Sequence, residues 1–76
     1  MTVEQRPGTV LRLAEPDYRY GAGRLLLRVE RIDVEEPVTI DGEVWYMVHG
    51  VQLGGDGAER GTRSALVRGR RLSSSP

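Results

Sequence analysis

The fold is decided by residues 38–53, VTIDGEVWYMVHGVQL, where a short apolar segment, an Asp-Gly pair and a long apolar segment follow one another. Asp41-Gly42 is a strong signal for a two-residue hairpin, because a type I′ turn needs positive φ at both central positions. The turn predicts that a short strand at 38–40 pairs with a long strand at 43–53.

The long strand is apolar on both of its faces. Alternation places Trp45, Met47 and His49 on one face and Val44, Tyr46 and Val48 on the other. A strand buried on one side only should alternate with polar residues. We therefore expect the face of Val44, Tyr46 and Val48 to be either covered by another element or exposed as a contact surface.

The rest of the chain consists of short segments between glycines and prolines, and none has convincing helical spacing. Strands are predicted at 9–14, from Arg24 onward and at 62–68. The second of these changes its apolar phase near Glu30-Arg31, which indicates a β-bulge. The prediction is an all-β domain at 9–72, built as a small antiparallel barrel of five to six strands, with flexible tails at 1–8 and 73–76.

The tyrosine-bearing loop after the first strand, the bent second strand and the tight hairpin resemble the layout of SH3-like barrels. The resemblance concerns the order and shape of the elements. No family motif accompanies it, so it implies a fold and no activity.

The composition excludes several kinds of chemistry. The 76 residues contain no cysteine, and all eleven basic residues are arginine, which excludes disulfides, zinc bound by cysteine and Schiff bases formed by lysine. With one histidine and scattered acids, we expect no metal site and no cofactor. No apolar run could span a membrane, and the N-terminus lacks a signal-peptide pattern, so we expect a cytoplasmic protein.

An enzyme is not expected. A nucleophile, base and carboxylate would require His49 and Ser64 to lie together with an acid behind them, which neighbouring antiparallel strands allow in principle. A single histidine within a strand is more often a packed or hydrogen-bonded residue. Binding is therefore the predicted role.

The first hypothesis is a protein-binding or self-associating module, and the second is a nucleic-acid-binding barrel. The first rests on the second apolar face of the long strand and on the small size of the core, since association would bury that face. If the loop after the first strand folds over the long strand, Tyr18 or Tyr20 joins the outward member of the pair Trp45 and Tyr46 in a shallow aromatic groove. The second uses the C-terminal arginines for phosphates and the loop tyrosines for base stacking. Those arginines are Arg60, Arg63, Arg68, Arg70 and Arg71.

The distribution of charge leaves the choice open. The net charge is zero, whereas a dedicated nucleic-acid binder usually has a basic excess. The charges are nevertheless segregated, because residues 60–76 contain five arginines and no acid, and residues 30–43 contain six acids and one arginine. The basic segment either forms an exposed patch or pairs with the acidic segment 30–43.

Overall fold

A computed structural model of the chain describes residues 8–72, which form one antiparallel sheet of six strands. The strands are β1 (Val10–Leu13), β2 (Tyr18–Arg19), β3 (Leu25–Ile32), β4 (Val38–Ile40), β5 (Glu43–Leu53) and β6 (Glu59–Arg68). Single 3-10 turns lie at Glu15–Asp17 and Gly69–Arg71. The all-β prediction is confirmed.

The predicted tails fall almost entirely on residues 1–7 and 73–76, which lie outside the described residues. Gly8 is described, and its N–H donates to the carbonyl oxygen of Val29 at 2.7 Å. This residue is therefore tied to β3 instead of belonging to a free tail.

The long strand β5 is the centre of the sheet. It pairs with β6 along one side, while β3 and β4 share its other side. The short β4 lies against Glu43–Trp45 and β3 lies against Val48–Leu53. Both backbone edges of β5 are therefore paired along most of their length.

The Asp41-Gly42 hairpin is confirmed. Ile40 is paired with Glu43, and φ is +50° at Asp41 and +79° at Gly42. These are the two positive values that a type I′ turn needs.

The bulge in β3 is also confirmed, because the register between β3 and β5 shifts between Val29 and Arg31. Gly50 lies opposite Val29 at this point. The extra residue lets Val29 and Ile32 both face the core although one is odd-numbered and the other even-numbered.

The two edges of the sheet are β1 and β2, at opposite ends of the order β1-β3-β5-β6-β2. Only residues 14–17 connect them. The five peptide steps from Leu13 to Tyr18 can span at most about 18 Å, so the two edges lie close together. Arg71 lies close to both edges, donating to the carbonyl oxygen of Arg12 at 3.0 Å and pairing with Asp17 at 3.4 Å. The sheet therefore curls, while the pairing between described strands does not close it into a barrel.

The core is formed by the concave side of this curled sheet. Its members are aliphatic except for one tyrosine, and they come from β1, β2, β3, β5, β6 and the segment after β6. They are Leu11, Leu13, Tyr18, Leu25, Leu27, Val29, Val48, Ala65, Val67 and Leu72.

The face of β5 that carries Val44, Tyr46 and Val48 was expected to be either covered by another element or exposed as a contact surface, and most of it is covered. Val48 is fully buried, Tyr46 packs against the core, and only Val44 is exposed, at 38%. The face predicted as a possible contact surface is thus mostly the core-facing side. Core residues of β1, β3 and β6 pack on this side because the sheet curls, which strand alternation alone does not specify.

Candidate functional site

The four aromatic residues have different environments. Tyr18 is buried in the core, and its hydroxyl donates to the carbonyl oxygens of Ala22 and Gly23 at 3.2 and 2.9 Å. Tyr46 packs against the core. Trp45 is 4% exposed yet lies outside the core cluster, whereas Tyr20 is 84% exposed. The predicted groove therefore brings Tyr18, Tyr20 and Trp45 together and leaves Tyr46 out.

Trp45 is covered by two arginines on the outer side of the sheet. The guanidinium carbon of Arg68 lies 5.1 Å from the centroid of the indole ring, and that of Arg19 lies 5.5 Å away. Arg68 is the cross-strand partner of Trp45 on β6. Both distances are typical of cation–π contacts, which gain strength when the cation is partly removed from water.

Tyr20 is held in an unusual backbone conformation, with φ of +68°. A residue other than glycine rarely adopts this left-handed region, and such positions are concentrated at functional sites. The ring of Tyr20 lies 5.7 Å from the guanidinium of Arg19. Arg19 thus contacts both an exposed and a buried aromatic ring.

The loop that carries Tyr20 is braced by hydrogen bonds. Asp17 accepts from the N–H of Ala14 at 2.9 Å, and Glu15 accepts from the N–H of Gly23 at 2.7 Å. At Gly21 a Cβ atom would lie 2.8 Å from a guanidinium nitrogen of Arg63. The turn is therefore tightly packed, and it presents Tyr20 to solvent without covering it.

Together these residues line a cleft, which we call the aromatic–arginine cleft, with a volume of about 350 Å³. Its lining comes from the 14–21 segment and from the adjoining parts of β5 and β6. The lining residues are Glu15, Pro16, Tyr18, Arg19, Tyr20, Gly21, Trp45 and Arg68. The volume is at the lower end of the range of small-molecule and side-chain pockets.

The two arginines of the cleft differ in their partners. Arg68 pairs with Glu43 at 3.2 Å. Within residues 8–72, no carboxylate forms an ion pair with Arg19. The Nε atoms of both arginines and the indole Nε1 of Trp45 are buried without a hydrogen-bond partner. The cleft therefore has a cation and several N–H donors that lack acceptors.

The C-terminal arginines do not form a free basic patch. Arg60, Arg68 and Arg71 pair with Asp56, Glu43 and Asp17 respectively. Arg63 donates to the side-chain oxygen of Gln52 at 3.3 Å and lies over the ring of Tyr18, and Arg70 also has a partner. Of the three acids in these ion pairs, Glu43 comes from the acidic segment 30–43, and Asp56 alone is close in sequence to its arginine.

Arg19 is the residue of the cleft that the sequence analysis missed. It stands between two tyrosines in the stretch Tyr18-Arg19-Tyr20. An arginine flanked by aromatic residues in a loop is a recognisable signal, because guanidinium groups stack on aromatic rings. The short strand β2 was not predicted either, and it is this strand that places Arg19 beside Leu66 on β6.

A second group of polar side chains lies away from the cleft. The Nδ1 atom of His49 is 2.7 Å from the hydroxyl of Ser64, and its Nε2 atom is 2.9 Å from a carboxylate oxygen of Asp33. The hydrogen bond from His49 holds the pKa of Asp33 below its ordinary value, with a smaller contribution from the charge of Arg31. The arrangement considered in the sequence analysis is therefore present, with Asp33 as the carboxylate.

Two classes of feature are missing from the part of the chain that the structure describes. No three histidine, cysteine or carboxylate side chains there come together as ligands for a metal ion. None of the helical turns between residues 8 and 72 has the length and apolar character needed to cross a bilayer.

Comparisons with known proteins identify no relative. Neither the scan against protein-family models nor the searches of curated proteins and of solved structures find a significant match to this chain.

Proposed function

We propose that the chain is a protein-interaction module, and that its aromatic–arginine cleft, which has no catalytic role, binds an acidic side chain of a partner protein. One observation carries the proposal. Arg19 contacts the rings of Tyr20 and Trp45 and has no carboxylate partner among the described residues. An arginine between aromatic residues at a partly enclosed site is typical of protein interfaces.

The charge in the cleft favours an anionic ligand. Two guanidinium groups share the ring of Trp45, and only Arg68 is neutralised, by Glu43. A carboxylate beside Arg19 would neutralise the second cation and accept hydrogen bonds in the planar geometry that suits a guanidinium. Hydrogen bonds to charged groups stabilise by about 1.5–3 kcal/mol each, enough to orient a short acidic segment.

A protein partner is favoured over a nucleic acid. A polyanion needs several cations at suitable spacing, and each neutralised phosphate contributes to affinity and to its salt dependence. Here Arg60, Arg68 and Arg71 are already paired with acids, and Glu15 and Glu43 lie at or near the cleft. Such a site suits one or two carboxylates better than a phosphate chain.

Self-association through Val44, Tyr46 and Val48 loses its support, because Val48 is buried and Tyr46 packs in the core of the same chain. A second copy could still supply acid to the cleft, since Glu35 and Glu36 are exposed. The SH3-like barrel layout and a cytoplasmic location are also part of this proposal. The first is supported by the short connection between the two sheet edges and the second by the absence of cysteine.

Trp45 is the single tryptophan, so its fluorescence reports directly on the cleft. The experiment titrates the protein with a capped peptide of residues 33–38, DVEEPV. It is repeated with a glutamine peptide without any carboxylate, which carries glutamine at both glutamate positions and asparagine at the aspartate position. The variants are Arg19→Gln and, as a control, Arg24→Gln, which removes an exposed arginine outside the cleft.

The acidic peptide should change the fluorescence of the wild type and of Arg24→Gln, and Arg19→Gln should bind it at least about tenfold more weakly. Equal affinity for the glutamine peptide would refute recognition of a carboxylate. A single-stranded oligonucleotide that binds more tightly, with affinity falling steeply as salt is added, would favour the nucleic-acid hypothesis. Light scattering at increasing protein concentration distinguishes a second copy from a different partner.

A further inference from the structure

Ser64, His49 and Asp33 form a continuous chain of hydrogen bonds on the outer face of the sheet. The two contacts are 2.7 Å from the Ser64 hydroxyl to His49 Nδ1 and 2.9 Å from His49 Nε2 to Asp33. None of the three lines the aromatic–arginine cleft. The order of groups is a hydroxyl, an imidazole and a carboxylate, which is the arrangement of an activated serine.

The strand register holds these side chains together. His49 on β5 is opposite Ser64 on β6, and Asp33 follows the end of β3, where its N–H donates to the carbonyl oxygen of Met47 at 3.0 Å. This bond directs the backbone polar groups of Met47, and by alternation those of His49, toward β3. The His49–Ser64 pair is therefore a non-hydrogen-bonded pair, the class in which opposite side chains lie closest.

The carboxylate determines which nitrogen of the imidazole carries the proton. The pKa of Asp33 lies below its ordinary value because of its hydrogen bond to His49, so Asp33 is ionised at neutral pH and can only accept hydrogen bonds. His49 Nε2 must then donate to it, and in the neutral ring Nδ1 is the unprotonated acceptor. The hydroxyl of Ser64 consequently donates its proton toward a base.

We propose that Ser64 is a nucleophile that accepts acyl groups from small activated esters, with His49 as its general base and Asp33 as the positioning residue. The Ser64 oxygen bonds to the ester carbonyl carbon while its proton passes to His49 Nδ1. The bond between that carbon and the leaving oxygen then breaks, and His49 returns the proton to the leaving oxygen. Attack by water on the acyl-serine would complete hydrolysis.

The surroundings of Ser64 allow this reaction. Ser64 is exposed, so a small ester can reach it. The same alternation directs its backbone N–H away from β5 to the free edge of β6, since the pairing of β2 ends at Leu66. At this edge the N–H has the position from which it could donate to an oxyanion. Met47 and Leu66 are apolar neighbours on the same face.

The test treats the full chain with p-nitrophenyl acetate and follows nitrophenolate release together with intact mass. We expect addition of one acetyl group, located by peptide mass spectrometry on the segment 64–68, which contains Ser64 as its single serine. Ser73, Ser74 and Ser75 of the same chain serve as internal references, and Ser64 should be acylated at least about a hundredfold faster.

Three variants separate the roles. Ser64→Ala should lose the adduct on that segment, and His49→Gln should slow acylation at least about a hundredfold. Asp33→Asn should slow it at least about tenfold and shift its pH profile to lower pH, because the protonated imidazole loses its carboxylate partner. Acylation of Ser64 no faster than that of the other serines, or an unchanged rate and pH profile in Asp33→Asn, would overturn the proposal. Circular dichroism of each variant verifies that the sheet is retained.

This proposal goes beyond the binding function and is independent of it. Arg19→Gln should leave acylation of Ser64 unchanged, and Ser64→Ala should leave binding at the cleft unchanged. A positive result would overturn the expectation that the chain is not an enzyme.

Discussion

Replacement of Gly50 by alanine should destabilise the fold strongly, because this glycine lets β3 and β5 approach closely at the bulge. A Cβ atom at Gly50 would overlap the carbonyl oxygen of Arg28, and it would lie 3.0 Å from the carbonyl carbon of Arg28 and 3.3 Å from Cα of Val29. Carbon atoms prefer separations of about 3.5–4.0 Å. The obstructing atoms belong to the main chain, so rotation of a side chain cannot relieve the overlap.

The expected loss is about 2–3 kcal/mol in the free energy of unfolding, the upper part of the range for over-packed sites. A chain of this length has a total of roughly 4–11 kcal/mol, so the loss is a large fraction. It corresponds to a fall in Tm of about 8–24 °C. Denaturant unfolding followed by Trp45 fluorescence gives the free energy, provided that the m-value is unchanged.

Gly55→Ala is the matched control, because a Cβ atom there would have nothing within 4 Å and its φ is not positive. Alanine is otherwise as good as or better than glycine within or beside a strand, so the control should change stability by less than about 1 kcal/mol in either direction. If Gly50→Ala and Gly55→Ala unfold at the same denaturant concentration, the close approach at the bulge is not what makes glycine necessary.

Two further predictions concern Tyr20 and Asp33. Because Tyr20 has φ of +68° and is 84% exposed, Tyr20→Gly should be more stable than Tyr20→Val by about 1–2 kcal/mol in denaturant unfolding; equal stabilities would mean that the left-handed conformation carries no strain. The pKa of Asp33 is lowered in the folded chain, so its contribution to stability is present above about pH 4 and is lost as the pH falls through the folded value. The difference in unfolding free energy between the wild type and Asp33→Asn should therefore shrink between about pH 6 and pH 3, and a constant difference would contradict the assigned hydrogen bond.

Much of the sheet could be predicted because its signals are local. The turn at Asp41-Gly42 follows from the positive φ that both positions need, and the bulge follows from the change of apolar phase between Val29 and Ile32. The long strand β5 was predicted at 43–53 and is observed at Glu43–Leu53. The two-residue strand β2 was not predicted, since Tyr18–Arg19 has no periodicity and exists because β6 offers it an edge.

The candidate sites were predicted less completely. Trp45 and Tyr20 were identified as candidates from their chemistry, but the residue that joins them, Arg19, was not. His49 and Ser64 were recognised as a possible pair, while Asp33 could be placed beside them only once the register between β3 and β5 was known. Contacts between side chains distant in sequence depend on strand register. A shift of the register by one residue would move every side chain of the strand to the opposite face of the sheet.

By itself the sequence determined the class of the fold, the position of the Asp41-Gly42 turn and the bend in β3. It also determined which kinds of chemistry are excluded, because the chain contains no cysteine and no lysine. These follow from the conformational preferences and reactive groups of individual residues. Only the tertiary structure decided which face of β5 is the core and which arginines remain without an acid. It also decided that Ser64, His49 and Asp33 meet, because curling of the sheet and pairing across strands place groups together that are far apart in sequence. The hydrogen bond of Arg71 to the carbonyl oxygen of Arg12 joins residues 59 positions apart.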